Sequence, residues 1–214
     1  PVVIFFSDIR SFTATSEAME PEDVVSMLNE YFQIMVGIVI ENNGIVDKFI
    51  GDAVMAVWGA PQSTGDDIYH ALNASLQMRI ALEKLNINRE ARGEAPLMIG
   101  MGLHFGDALS GTIGSDERME YTVIGDTVNT AARVEASTKS FGTDLLVTEE
   151  IYDLVNDRFL MHKCGAAEVK GKTKPLVYYK VDGYIDPDGT KRIIETPYSA
   201  YESSGADKVK VVDT

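Results

Sequence analysis

Apolar positions along the chain fall into short blocks whose period switches between two and about 3.6, the pattern of strands interleaved with helices. Val2-Val3-Ile4-Phe5-Phe6 is an unbroken apolar run and reads as a central strand. From Pro21 onward Val24, Leu28, Tyr31, Met35 and Ile38 step by four and three, which predicts a helix with proline in its first turn. The runs Ile45–Ile50 and Ala53–Trp58 are split only by Gly51-Asp52, predicting a hairpin with a type II′-like turn. Gly59-Ala60-Pro61 stops this unit. A second helix is expected behind Asp66 and Asp67, carrying Ala71, Ala74, Met78, Ala81 and Leu85 and fraying in the polar run from Asn86 to Glu94. Strands are predicted at residues 97–105, 108–113 and 121–124, and a third helix at 127–138 with Asp126 as its N-cap. A strand at 145–147, a short helix at 148–155 and a closing pair near 167–169 and 176–181 complete the pattern.

The order β-α-β-β-α-β is that of a ferredoxin-like split unit, so the expected fold is α+β: a palm-like, antiparallel-rich sheet with flanking helices and C-terminal additions. From Gly183 the residues turn Gly-, Pro-, Ser- and charge-rich without a period. That change divides the chain into a domain at 1–182 and a loosely packed polar tail at 183–214.

Topology carries chemistry here. A right-handed crossover runs the first two strands parallel, so the end of the first strand and the tip of the hairpin emerge at one edge. Asp8 and Asp52 are thereby expected to meet. Alone, each would be a cap or turn former. Together they offer two hard carboxylates of the kind that hold a pair of Mg²⁺ ions, spaced about 3.5 to 4 Å apart, for in-line phosphoryl displacement.

With 214 residues, 45% of them apolar, the chain is long enough for one ordinary core. The net charge of -14 argues against nucleic acid or an anionic membrane as partner, but permits a phosphorylated ligand held through cations. Cys164 is the sole cysteine, which excludes an internal disulfide and a thiolate zinc site and fits a reducing, cytoplasmic setting. No apolar run is read as a membrane span, no leader precedes the first strand, and the start at Pro1 suggests a module of a longer protein. His70, His104 and His162 show no metal-ligand spacing and are expected to be structural or exposed.

Four motifs, taken together, are specific. They are Phe6-Ser7-Asp8-Ile9-Arg10-Ser11-Phe12-Thr13; Asp47-Lys48-Phe49-Ile50-Gly51-Asp52; Tyr121-Thr122-Val123-Ile124-Gly125-Asp126-Thr127-Val128-Asn129 with Ala132-Arg133; and Val169-Lys170-Gly171. In order and spacing the chain closely resembles the class III nucleotidyl cyclase catalytic domain, over about residues 2 to 181.

The resemblance implies a set of roles. Asp8 and Asp52, helped by the backbone carbonyl of Ile9, would hold two Mg²⁺ or Mn²⁺ ions. Ser11, Phe12 and Thr13 would open a helix whose free N–H groups face the polyphosphate. Asn129 would orient the ribose, and Arg133, one helical turn on, would stabilise charge developing on the α-phosphate. Lys170 would contact the β- and γ-phosphates, with Arg118 as a further triphosphate contact. Lys48 and Thr122, with Val123 beside them, occupy the base-reading positions, where guanine-specific relatives carry Glu and Cys. A lysine donor and a threonine acceptor suit adenine, and this threonine is similar to that of a bacterial and bicarbonate-responsive subgroup.

The implied reaction is ATP to 3′,5′-cyclic AMP and pyrophosphate, in a head-to-tail homodimer that completes its sites between chains and lies downstream of a sensor domain. No His or Glu stands out as a dedicated general base. Guanylyl cyclase and a non-catalytic cyclase-homology module are the alternatives. A diguanylate cyclase would need a Gly-Gly-Asp/Glu-Glu-Phe hairpin where Ile50-Gly51-Asp52-Ala53-Val54 stands, and an RNA-binding ferredoxin-like domain would need aromatic strand residues and a basic face.

Overall fold

The computed structural model describes residues 1–169, 172–203 and 211–212, the last two by backbone alone. It opens with β1 (Val2–Ile9), the short helix α1 (Phe12–Glu17) and the long α2 (Pro21–Glu41). The hairpin β2 (Ile45–Ile50) and β3 (Ala53–Trp58), helix α3 (Asp67–Ala91) and β4 (Ile99–Gly106) complete the split unit. Next come β5 (Leu109–Ser115), β6 (Arg118–Ile124), α4 (Asp126–Phe141), β7 (Leu145–Thr148) and α5 (Glu149–Val155). The chain closes with β8 (Phe159–Ala167), β9 (Leu176–Ile185), β10 (Lys191–Ile193) and β11 (Val211–Val212).

The main sheet runs β11-β8-β9-β7-β4-β1-β3-β2, with β10 on β9, while β5 and β6 form a separate ribbon. Within it β4-β1-β3-β2 is all antiparallel, and only β7 joins β4 in parallel. The fold is therefore the expected α+β. Alternation along β1 explains its continuous apolar run: Val3 and Phe5 face α2 and α3 beside Tyr31, Met35 and Trp58, while Val2, Ile4 and Phe6 face α4 with Val123 and Ala131. Both faces are covered, so neither set tolerates polarity. At Gly102 a Cβ would lie 2.1 Å from the Glu135 backbone nitrogen, so glycine there lets α4 approach β4 closely.

Several expectations change. The buried stripe of α2 is Met27, Tyr31, Met35 and Val39, with Leu28 and Ile38 at its margin. By length and composition α2 is also apolar enough to cross a membrane, contrary to the sequence reading; its buried residues belong to the domain core. Helix α3 does not fray after Leu85. It continues to Ala91 because its polar residues are employed inside: Asn86 bonds both the N–H and the carbonyl of Leu97 at 2.7 and 2.8 Å, and Arg89 donates to the Ala95 carbonyl. Asp126 is the first residue of α4 rather than its cap.

The loose tail expected from residue 183 is also corrected as far as residue 203. Strand β9 runs to Ile185 and pairs with β10. Beyond it Arg79 donates to the Ile194 carbonyl at 2.7 Å, Asp144 N–H donates to the Ser199 carbonyl at 3.1 Å, and the Tyr201 hydroxyl donates to the Thr143 carbonyl at 2.9 Å. This segment lacks an apolar period because hydrogen bonds, more than an apolar stripe, fasten it.

Candidate active site

The hairpin turn brings the two acidic residues to one edge. Gly51 takes φ +63° at its first position, which a residue with a Cβ adopts reluctantly, and Asp52 follows at the tip. Ser7 of β1 sits opposite Val54, so the next residue, Asp8, comes level with the turn. Asp52 Oδ2 accepts from the Ile9 N–H at 3.0 Å. Asp8 is pushed up to about 7, first by burial, then by its hydrogen bond to Asp52 and by the charges of Glu135 and Asp52, against the pull of Arg10.

This donor set fits divalent cations. Two carboxylates pressed together, one of them resisting ionisation, form an arrangement that a positive ion stabilises. Among the described residues no cluster of three or more His, Cys, Asp or Glu side chains exists to hold a metal. The remaining ligands of Mg²⁺ or Mn²⁺ would then be backbone, water and substrate oxygens, the donors such hard ions favour.

Beneath the pair lies a network that the sequence did not reveal. Arg10, two residues after Asp8, donates to Glu135 Oε1 at 2.7 Å, to Thr138 Oγ1, and through Nε to the Tyr201 hydroxyl at 3.3 Å. Its guanidinium passes over Gly100, where any side chain would collide with it. The only sequence signal was a charged residue directly after a buried strand. Ser11, in the left-handed region at φ 56°, is the N-cap position before α1, and no side chain caps that helix, so the N–H groups around Phe12 and Thr13 are left for another acceptor.

A second group forms on β2 and β6. Thr122 Oγ1 donates to Asp47 Oδ2 at 2.9 Å, and Lys48 Nζ lies 3.4 Å from the same oxygen. The two predicted base-reading residues thus meet on a third, Asp47, whose side chain is 4% exposed. Val123, next along β6, points instead into the core. Among the described residues no hydrogen bond or ion pair joins this group to Asp8 and Asp52.

Asn129 and Arg133 project from the exposed face of α4, and neither side chain has a hydrogen-bond partner among the described residues. Arg118, 82% exposed, is held by Glu120 at 2.5 Å on β6, the strand that also carries Thr122. Lys170 lies outside the described residues. Of the histidines, His104 is buried against Thr148 while His70 and His162 make polar contacts nearer the surface, in keeping with structural roles.

The family model for the adenylate and guanylate cyclase catalytic domain matches residues 1–182. The chain belongs to this family. It is 36% identical over 184 residues to adenylate cyclase 1 of Rhizobium meliloti, covering 86% of this chain but only 28% of that protein. Among solved structures it is similar to the adenylyl cyclase CyaB of P. aeruginosa, with 36% identity, a TM-score of 0.79 and coverage of 84% of this chain and 92% of that one. It is equally similar to the guanylyl cyclase Cya2, with 34% identity, a TM-score of 0.80 and coverage of 89% and 95%. Overall likeness therefore does not separate the two nucleotides, and the choice falls to individual residues.

Proposed function

We propose that this chain is the catalytic domain of an adenylyl cyclase, converting ATP to 3′,5′-cyclic AMP and pyrophosphate at sites shared between two head-to-tail copies. The observation that carries the base assignment is the meeting of Lys48 Nζ and Thr122 Oγ1 on Asp47, at 3.4 and 2.9 Å. An ammonium donates to the unprotonated adenine N1, and a hydroxyl oxygen accepts from the 6-amino group. Guanine, protonated at N1 and carrying a carbonyl at C6, opposes both.

Asp8 and Asp52, with the Ile9 carbonyl, would hold the cations. When bound, two such ions acidify the ribose 3′-hydroxyl and neutralise the triphosphate. The uncapped start of α1 at Ser11, Phe12 and Thr13 turns backbone N–H groups toward the phosphates. Asn129 orients the ribose, and the Arg133 guanidinium meets the charge that grows on the α-phosphate. Lys170 takes the outer phosphates, and Arg118 joins it only when released from Glu120.

Two features support a shared site. Among the described residues no hydrogen bond or ion pair joins the metal-side and base-side groups, and Phe49, Ile50, Met119, Tyr121 and Ile124 leave an exposed apolar surface around the base-side group. A second copy covering that surface would bring its own Asp8 and Asp52 opposite. Because the Rhizobium relative is much longer than the segment matched, a regulatory or sensor domain in the full-length protein is part of the proposal.

The test is turnover by the purified chain with Mg²⁺ or Mn²⁺ and either ATP or GTP, with the product identified by chromatography. Cyclic AMP with a higher kcat/KM for ATP is expected. A preference for GTP would overturn the base assignment, and bound but unconverted nucleotide would favour a non-catalytic module.

A further inference from the structure

Asp47 is one residue too many in its strand. The register of β2 against β3 slips between Val46 and Lys48, so Asp47 occupies a β-bulge, the irregularity by which strands re-aim a side chain. Its carboxylate is turned toward β6 and almost wholly buried, yet its contacts there are the two groups that read the base. A buried carboxylate needs donors, and Thr122 and Lys48 supply them.

The direction of the Thr122 bond matters. A threonine hydroxyl has one proton and two lone pairs, and free to rotate it serves a donor or an acceptor equally well. An ionised carboxylate accepts only, so the Thr122 proton is committed to Asp47 Oδ2 at 2.9 Å. What remains toward the nucleobase is lone pair.

We propose that Asp47 is a specificity-determining positioning residue: by accepting the Thr122 proton and anchoring Lys48, it fixes the polarity of the base site so that a 6-amino purine is accepted and a 6-oxo purine refused. Asp47 itself need not touch the base. The inference rests on Lys48 and Thr122 being the base-contacting pair, and it adds the reason why a hydroxyl, which alone would be indifferent, discriminates.

The test compares kcat/KM for ATP and ITP in the parent, Asp47→Asn, Thr122→Val and the double variant. An asparagine amide can turn its NH₂ toward Thr122, freeing the hydroxyl proton for a 6-oxo group. Asp47→Asn should then lower the ATP-to-ITP ratio by roughly tenfold or more, with the loss for ATP carried mainly by KM, since a base contact is made in ground and transition states alike. The double variant should differ little from Thr122→Val, because the two act through one hydroxyl. If Thr122→Val lowers the ratio and a folded Asp47→Asn does not, the role of Asp47 is overturned while the base-reading pair stands. If neither changes it, the base-reading assignment falls and this inference with it.

Should Asp47→Asn fail to fold, the parent enzyme supplies the answer through two triphosphates of like size that both keep N1 unprotonated. N6-methyladenosine triphosphate offers a donor at C6, and 6-methoxypurine riboside triphosphate offers only an acceptor. A fixed lone pair predicts preference for the first; equal kcat/KM overturns the proposal.

Discussion

Asp52 acts twice through one carboxylate: Oδ2 accepts from the Ile9 N–H at 3.0 Å, and, after burial, its hydrogen bond and charge help push Asp8 up to about 7. Replacing Asp52, a proposed metal ligand, with Ala should cut turnover by roughly 10²-fold or more, the equivalent of several kcal/mol of lost charge stabilisation. Folding should change by only about 1 kcal/mol, because the hydrogen bonds to the Ile9 N–H and to Asp8 are lost while charge repulsion against Asp8 is relieved. Turnover near the parent's level would remove the metal site from the account. His104 gives a separate residue-level prediction. Burial holds it below its ordinary 6.5, opposed by Glu150 and Asp126 and assisted by Lys172. The unfolded chain therefore takes up a proton before the folded one, so this contribution to stability is present above about pH 6.5 and is lost as pH falls toward the lower folded value. Thermal midpoints of His104→Gln should fall less steeply with acid than those of the parent; parallel slopes would contradict it. The meeting of Asp8 and Asp52 was legible in sequence because crossover handedness leaves few ways to arrange β1 and the hairpin. Asp47 was not, since strand alternation assigns neighbours to opposite faces and a bulge leaves no mark in composition.

At the scale of elements, what was legible was what has a period. β1, α2, the β2–β3 hairpin and α4 all stand where apolar spacing put them, with ends displaced by a few residues. The last turns of α3 and residues 186–203 were misjudged for a common reason: both are secured by hydrogen bonds from Asn86, Arg89, Arg79, Ser199 and Tyr201. Polar residues so used look like solvated loop in a sequence. Tyr201 is the informative probe, since its hydroxyl donates to the Thr143 carbonyl at 2.9 Å and accepts from Arg10 at 3.3 Å. Tyr201→Phe keeps the ring but leaves Arg10 Nε short of a partner, which should cost about 1 to 3 kcal/mol. The denaturation midpoint should drop with its slope preserved. An unmoved midpoint would mean that this segment rests on the domain without stabilising it.

For the whole molecule, two polar groups that no hydrogen bond or ion pair joins among the described residues, beside an exposed apolar surface, underlie the proposal of a shared site. One chain carries Asp8 and Asp52 beside the hairpin turn, Lys48 and Thr122 on β2 and β6, and Asn129 and Arg133 on α4. In the head-to-tail pair proposed above, each site would take the first set from one copy and the second from the other. The measurement that tests this most directly mixes two inactive chains, Asp8→Ala and Arg133→Ala, and assays cyclic AMP formation from ATP. In a mixed dimer both lesions fall in one site and the other is whole, so activity should return, reaching about a quarter of the parent's at equal mixing with random assortment. If mixed dimers are demonstrated and no activity returns, the sites are not shared between chains, and the central claim is wrong.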